Sequence, residues 1–176
     1  MKKYNIYGDN IVECERVVEI IQKGGGYKII ERRGNPTNIE LVATRTNGDV
    51  LEITLYPGFG RWENSIIENM ELNGTPLREA PDSIVTKIDG EKEQALVAIE
   101  FCSALPAGNQ AWQRSGRAYS YGKLGVPYLY ITEIGGYELD INRNKKAPRL
   151  PNPAVPFSYT VNTKRQLGTT LIINTM

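Results

Sequence analysis

Residues 81–102 read "PDSIVTKIDGEKEQALVAIEFC". Two apolar-rich arms flank the polar turn Asp89-Gly90-Glu91, the pattern of a β-hairpin. The first arm is "SIVTKI". The second, "QALVAIEFCSA", is nearly continuous in apolar residues, which suits a central strand buried on both faces. Asp82 opens the first arm and Glu100 stands near the end of the second. Side chains along a strand alternate between faces, so Lys87 has the opposite parity to Asp82 and is expected to point away from it.

Downstream, "LPAGNQAWQRSGRAYSYGKLG" predicts a helix starting at Gly108 or Asn109 and ending near Gly122 or Gly125. Ala111, Ser115, Ala118 and Gly122 form a small-residue face that can lie close on a sheet, while Gln110, Gln113, Arg114, Arg117 and Tyr121 form a polar one. "VPYLYITEIGG" is a further strand with Pro127 at its start, where proline is tolerated. Strand, helix and strand at this spacing predict a right-handed crossover and a parallel pair. The segment from Asn144 to Pro156 is Pro-rich and basic and reads as an arm or insertion, and "GTTLIIN" near the end reads as a strand.

Upstream, "GDNIVECERVVEIIQKGGG" is an amphipathic helix. Asp9 or Asn10 caps it, Ile11, Cys14, Val17, Val18 and Ile21 recur at helical spacing, and Gly24 to Gly26 end it. Glu13 and Glu15 lie on the two borders of its apolar stripe. "YKIIERR" reads as a short strand and "GNPTN" as a loop. "IELVATRTNGDVLEITLYPG" is a hairpin whose Asn47-Gly48 pair favours a type I′ turn. The fold class these elements predict is α/β, a mixed central sheet flanked by helices. The chain of 176 residues is expected to form a single domain overall, with a core over 1–140 and a basic segment over 141–176 packing on it.

Composition excludes much. Histidine is absent, so Ser-His-Asp and Cys-His nucleophilic sites, His-metal nucleases and HExxH proteases are ruled out. Cys14 and Cys102 are too far apart in sequence to give a zinc-ligand spacing. Acid–base or metal chemistry must come from carboxylates, Lys, Tyr, Cys or water. No GxxxxGK[ST] motif occurs, and "KGGGYK" follows a helix, so it reads as a helix stop. "MKKYNIYGDN" lacks the apolar run of a signal peptide and no stretch approaches the ~18 apolar residues that cross a bilayer, so a cytoplasmic protein with no membrane partner is expected. Net charge is +1, but Arg143, Lys145, Lys146, Arg149, Lys164 and Arg165 make residues 141–176 a segment of +6 without an acid, against −5 for the first 140. A basic end on an acidic body suits a polyanion partner.

The order helix, antiparallel strands carrying an Asp, central strand ending in Glu, helix, strand, with "PD" at Pro81-Asp82 and "EFC" at Glu100 to Cys102, resembles the PD-(D/E)xK nuclease superfamily over roughly residues 8 to 134. The resemblance implies a restriction-endonuclease-like core and a Mg²⁺-dependent endonuclease of the restriction type that hydrolyses DNA phosphodiester bonds, with Mn²⁺ as a substitute. It implies Asp82 and Glu100 as metal ligands, joined by Glu13 or Glu15 from the first helix. Mg²⁺ is a hard ion that takes oxygen ligands and needs no histidine. The family's Lys, two residues past the Glu, is here Cys102, and a neutral thiol supplies no positive charge. The substitutes are Gln110 or Gln113 near the metal-bound water and Arg114 or Arg117 on a phosphate. Lys145, Lys146, Arg149, Lys164 and Arg165 would contact phosphates, giving position rather than sequence choice. A homodimer is expected if both strands are cut, and the chain reads equally as the catalytic module of a longer protein.

Each assignment has a plainer competitor. Glu100 at the end of an apolar run is costly unless paired or metal-bound, and a salt bridge to Arg114 or Arg117 would satisfy it. Asp82 can simply start a turn after Pro81. Glu13 and Glu15 can be acids favoured by the helix dipole. Asp49 and Glu52 are competing acids. Arg61, Trp62 and Trp112 can stack on nucleic acid or belong to a core or lid. The Cys102 departure supports a second function: a catalytically inactive nuclease-fold module that binds DNA or acts as a scaffold.

Overall fold

The computed structural model describes residues 2–58, 81–102, 108–133, 137–139, 141–148 and 170–175, without the side chains of 102, 108–115, 132–133, 138–139, 146–148 and 170–175. The protein is a mixed α/β chain that divides into two compact units, Met1–Asn69 with Ala80–Ala98, and Met70–Glu79 with Ile99–Met176.

The first unit holds β1 (Lys2–Gly8), α1 (Ile11–Gly25), β2 (Lys28–Asn35), β3 (Asn38–Thr44), β4 (Val50–Pro57) and β5 (Ser83–Asp89), and most of β6 (Lys92–Cys102). Its strands lie in the order β6-β5-β1-β4-β3-β2. β1 is parallel to β4, with Ile6 opposite Leu55, and antiparallel to β5, with Ile6 opposite Val85. The expected hairpin over residues 81–102 is present as β5 and β6, turning at Gly90 in the left-handed region.

Burial on β3 and β4 alternates residue by residue, so Ile39, Leu41, Ala43, Leu51, Ile53 and Leu55 are all buried. α1 packs on β1, β4 and β5 and buries Cys14, Val17 and Val18 of the predicted stripe, while Ile21 is half-buried and Ile11, at the start of the helix, is exposed. Asn10, rather than Asp9, is the cap: its side chain accepts from the amides of Val12 and Glu13. Gly26, at φ 69°, ends the helix.

The Asn47-Gly48 turn differs from expectation. A type I′ pair needs positive φ at both residues, and here only Gly48 has it, at 83°. The Gly48 amide donates to the Arg45 carbonyl and the Arg45 amide to the Asp49 carbonyl, so the loop spans three residues with glycine in the left-handed position. Asn47 serves through its side chain, which accepts from the Asp49 amide at 3.1 Å.

The second unit holds the end of β6, then α2 (Gly108–Lys123), β7 (Tyr128–Glu133), β8 (Tyr137–Leu139), β9 (Lys145–Pro148) and β10 (Thr170–Thr175). β7 lies between β6 and β10, and pairs parallel with β10 in the register Thr170 to Tyr128. α2 spans the range its sequence predicts and stops at Gly125, φ 70°, where the Val126 amide donates back to the Tyr121 carbonyl. β8 and β9 form a separate antiparallel hairpin, of which β9 lies in the basic segment and β8 just before it.

Candidate functional site

Glu100 follows Ala98 and Ile99 on β6, and all three are buried; Glu100 itself is 1% exposed. A carboxylate there must be compensated. Arg117, from α2, donates from Nη1 to Oε1 at 2.9 Å and to Oε2 at 3.0 Å. The Tyr128 hydroxyl, from the first residue of β7, donates to Oε2 at 3.2 Å. Three consecutive elements thus meet at one carboxylate, and the competing salt bridge to Arg117 is formed. The side chains of Arg114, Gln110 and Gln113 lie outside the described residues, as does that of Cys102 at the end of β6.

The polar face expected on α2 is partly an inner face. Tyr121 is fully buried, its ring 6.2 Å from that of Tyr128. Its hydroxyl and that of Ser120 are buried and have no hydrogen-bond partner among the described residues. Burial pushes the Tyr121 phenol well above its ordinary range; the Arg117 charge opposes this and the Glu100 charge adds to it. Helical spacing correctly groups Arg117 with Tyr121, but it does not say that a tyrosine ring and a paired guanidinium can both be turned inward.

The other predicted acids belong to the first unit. Asp82 precedes β5, and its carbonyl accepts from the Asp9 amide at 2.9 Å, which brings it to the end of the sheet where α1 begins. Glu13 is in the first turn of α1, 3.5 Å from Arg16. Glu15 instead pairs with Arg32 on β2. Among the described residues no group of three or more Cys, Asp or Glu side chains is placed to hold a metal ion. Asp49 is a clasp: Lys2 donates to both its oxygens and the Tyr27 hydroxyl to Oδ2 at 2.6 Å, and these bonds, Tyr27 first, hold its carboxyl below the usual range. Glu52 pairs with Lys3 at 3.3 Å.

Sequence reading passed over one more acid. Glu93 Oε1 accepts from the Tyr7 hydroxyl at 2.8 Å, from Asn5 Nδ2 at 3.0 Å and from the Thr86 hydroxyl, so one oxygen joins β1, β5 and β6. Tyr7 stacks on Tyr56, centroids 5.0 Å apart. The available signal was the polar residues Asn5 and Thr86 set among apolar ones on strands.

Lys145, one of the predicted phosphate contacts, stands on β9 with its ammonium 4.6 Å from the Tyr137 ring centroid. The side chain of Lys146 lies outside the described residues, as do Arg149, Lys164, Arg165, Arg61, Trp62 and the side chain of Trp112. Among the described residues no helix is long and apolar enough to cross a membrane. No protein-family model, curated protein or solved structure matches this chain.

Proposed function

We propose that the chain is a DNA endonuclease of the PD-(D/E)xK type, with a restriction-endonuclease-like core and Mg²⁺, or Mn²⁺ in its place, as cofactor. One observation carries this reading: a carboxylate 1% exposed near the end of β6, the strand that α2 follows in the chain. A buried ion pair is weak as a stabiliser, since apolar residues of similar volume often serve as well or better. A charge kept at such a position calls for a use beyond folding.

By donor chemistry Glu100 fits a hard divalent cation, which takes carboxylate oxygens. The family pattern pairs it with Asp82 as ligand and adds Glu13 or Glu15. Such an ion would lower the pKa of an attacking water and offset charge at the phosphate. Arg117 and Tyr128 orient the Glu100 carboxylate through three hydrogen bonds, and Arg117 balances its charge. Arg114 and the basic residues of 141–176 would hold phosphates, while Gln110 or Gln113 would take the position in the chemistry that Cys102 leaves open.

A second reading, an inactive nuclease-fold module that binds DNA or acts as a scaffold, is favoured by the same ion pair. Both Glu100 oxygens are already engaged by Arg117, and Cys102 replaces the family's Lys. Incubation of supercoiled plasmid with Mg²⁺ or Mn²⁺ separates the two. The nuclease reading expects nicking or linearisation by the wild type and its loss in both Glu100→Gln and Asp82→Asn, each checked for folding by circular dichroism. Equal cutting by all three proteins would refute the site. No cutting by the wild type, with DNA binding intact, would establish the second reading.

A further inference from the structure

We infer that Arg117 is a latch on Glu100. It keeps a divalent cation off the carboxylate until a phosphate of the DNA draws the guanidinium away, so that metal and substrate favour each other's binding. The inference rests on the reading above, in which Glu100 takes the ion and DNA is the substrate, and it adds how the two are coupled at that site.

Glu100 near the end of β6, Arg117 on α2 and Tyr128 at the start of β7 all belong to the second unit. An ionised carboxylate has roughly four acceptor positions. Arg117 Nη1 takes one on each oxygen, at 2.9 and 3.0 Å, and the Tyr128 hydroxyl takes another on Oε2, at 3.2 Å. An ion bonded to either oxygen at about 2.1 Å would lie no more than about 5 Å from Nη1. Two cations that close, beside a carboxylate 1% exposed, repel with little screening by water. The guanidinium therefore has to leave Glu100 for the ion to bind there.

Two features make the contact exchangeable. The Arg117 side chain is 19% exposed, so the arginine is the partner nearer solvent. Its grip comes from one nitrogen, whereas the strong arrangement is the two-nitrogen fork that a phosphate accepts. A phosphate on Arg117 replaces Glu100 as its counter-ion, and a metal on Glu100 replaces Arg117. Either exchange alone leaves one charge in the interior without its partner, which is costly. Made together, both charges are compensated, so each ligand raises the affinity for the other.

The latch is tested by opening it from each side. Thermal melts with and without millimolar Mn²⁺, in the absence of DNA, compare the wild type, Arg117→Met and the double variant Arg117→Met/Glu100→Gln. Arg117→Met is expected to bind Mn²⁺ about tenfold more tightly than the wild type, within the usual range of coupling between ligands. The gain is read as a larger rise in Tm, and the double variant is expected to lose it. Arg117→Gln, which keeps a donor beside Glu100 without the charge, takes the place of Arg117→Met if that variant does not fold. From the other side, fluorescence anisotropy of a labelled duplex in EDTA compares the wild type with Glu100→Gln. Release of Arg117 is expected to tighten DNA binding several-fold, and the gain is expected to vanish in the Arg117→Met background. Equal Mn²⁺ gains in the wild type and Arg117→Met would overturn the latch while leaving the metal reading intact. A Mn²⁺ gain that survives in the double variant would put the ion elsewhere and also overturn it. A DNA gain that persists without Arg117 would be a plain charge effect and overturn the exchange. Absence of any Mn²⁺ gain in all three proteins would overturn the latch and the metal reading together.

Discussion

Arg117 grips both carboxylate oxygens of Glu100 from a single nitrogen, at 2.9 and 3.0 Å. Glu100 is 1% exposed and the Arg117 side chain 19%, so water screens the pair poorly. Removing one partner leaves the other charge in the interior without its counter-ion. Arg117→Met is therefore expected to cost about 3–5 kcal/mol, whereas the double variant Arg117→Met/Glu100→Gln recovers most of that loss. Urea unfolding of the wild type, both single variants and the double closes the cycle. Additive effects in the two single variants would show that the pair is not coupled.

The two buried tyrosines beside this pair are expected to behave differently. Tyr128 donates to Glu100 and Tyr121 donates to no described group. Tyr128→Phe removes a hydrogen bond to a charged group and is expected to cost about 1.5–3 kcal/mol. Tyr121→Phe removes a buried hydroxyl with no partner among the described residues and is expected to be neutral or slightly stabilising, within about 1 kcal/mol. Comparing the two urea midpoints checks this. Equal losses would mean that the Tyr121 hydroxyl is satisfied by bound water.

These inward-facing groups show where sequence reading reaches and where it stops. Periodicity and turn residues locate α1, α2 and the β5–β6 hairpin, because those signals are local. They also locate Glu100 as a carboxylate in an apolar strand that needs a partner. β1 is missed, though Tyr4 and Ile6 alternate with Asn5 and Tyr7. Its importance comes from pairing with β4 on one side and β5 on the other, and those partners are distant in sequence. β9 hides in Asn144 to Pro156, whose prolines and charges read as an arm, and β8 is only three residues long. Tyr121 is assigned to a polar surface because its hydroxyl is weighed above its ring.

Close packing where β1 gives way to α1 supplies a third prediction. A Cβ on Gly8 would lie 2.6 Å from Cys14 Sγ and 2.9 Å from the Asn10 carbonyl oxygen. The Asn10 oxygen and the Cys14 amide nitrogen, 3.0 Å away, are backbone and cannot yield without moving the start of α1. Gly8→Ala is expected to cost about 1–3 kcal/mol by overpacking. Asn10→Ala, which removes the cap from the Val12 and Glu13 amides, is expected to cost about 1 kcal/mol. Thermal melts report both. If Gly8→Ala proves silent, the strand–helix junction is looser than these distances require.

The same junction makes Cys14 a pH-linked group. Its thiol is fully buried and donates to the Ile6 carbonyl at 3.7 Å. Burial pushes its pKa up to about 12, with the Glu15 and Glu13 charges adding to the shift, from 9.0 for the exposed thiol. Between those values the unfolded chain has lost the proton while the native one still holds it. Folding stability from this group is therefore complete below about pH 9 and falls as pH rises from there toward 12. In a Cys102→Ser background, where Cys14 is the sole thiol, a disulfide-exchange reagent at pH 8 is expected to label the protein only as fast as it unfolds. Urea midpoints from pH 8 to pH 10.5 are expected to decline, and the additional Cys14→Ala change should flatten that decline. Rapid labelling of the folded protein at pH 8 would show that the thiol is open to solvent, and the alkaline loss of stability would then need another source.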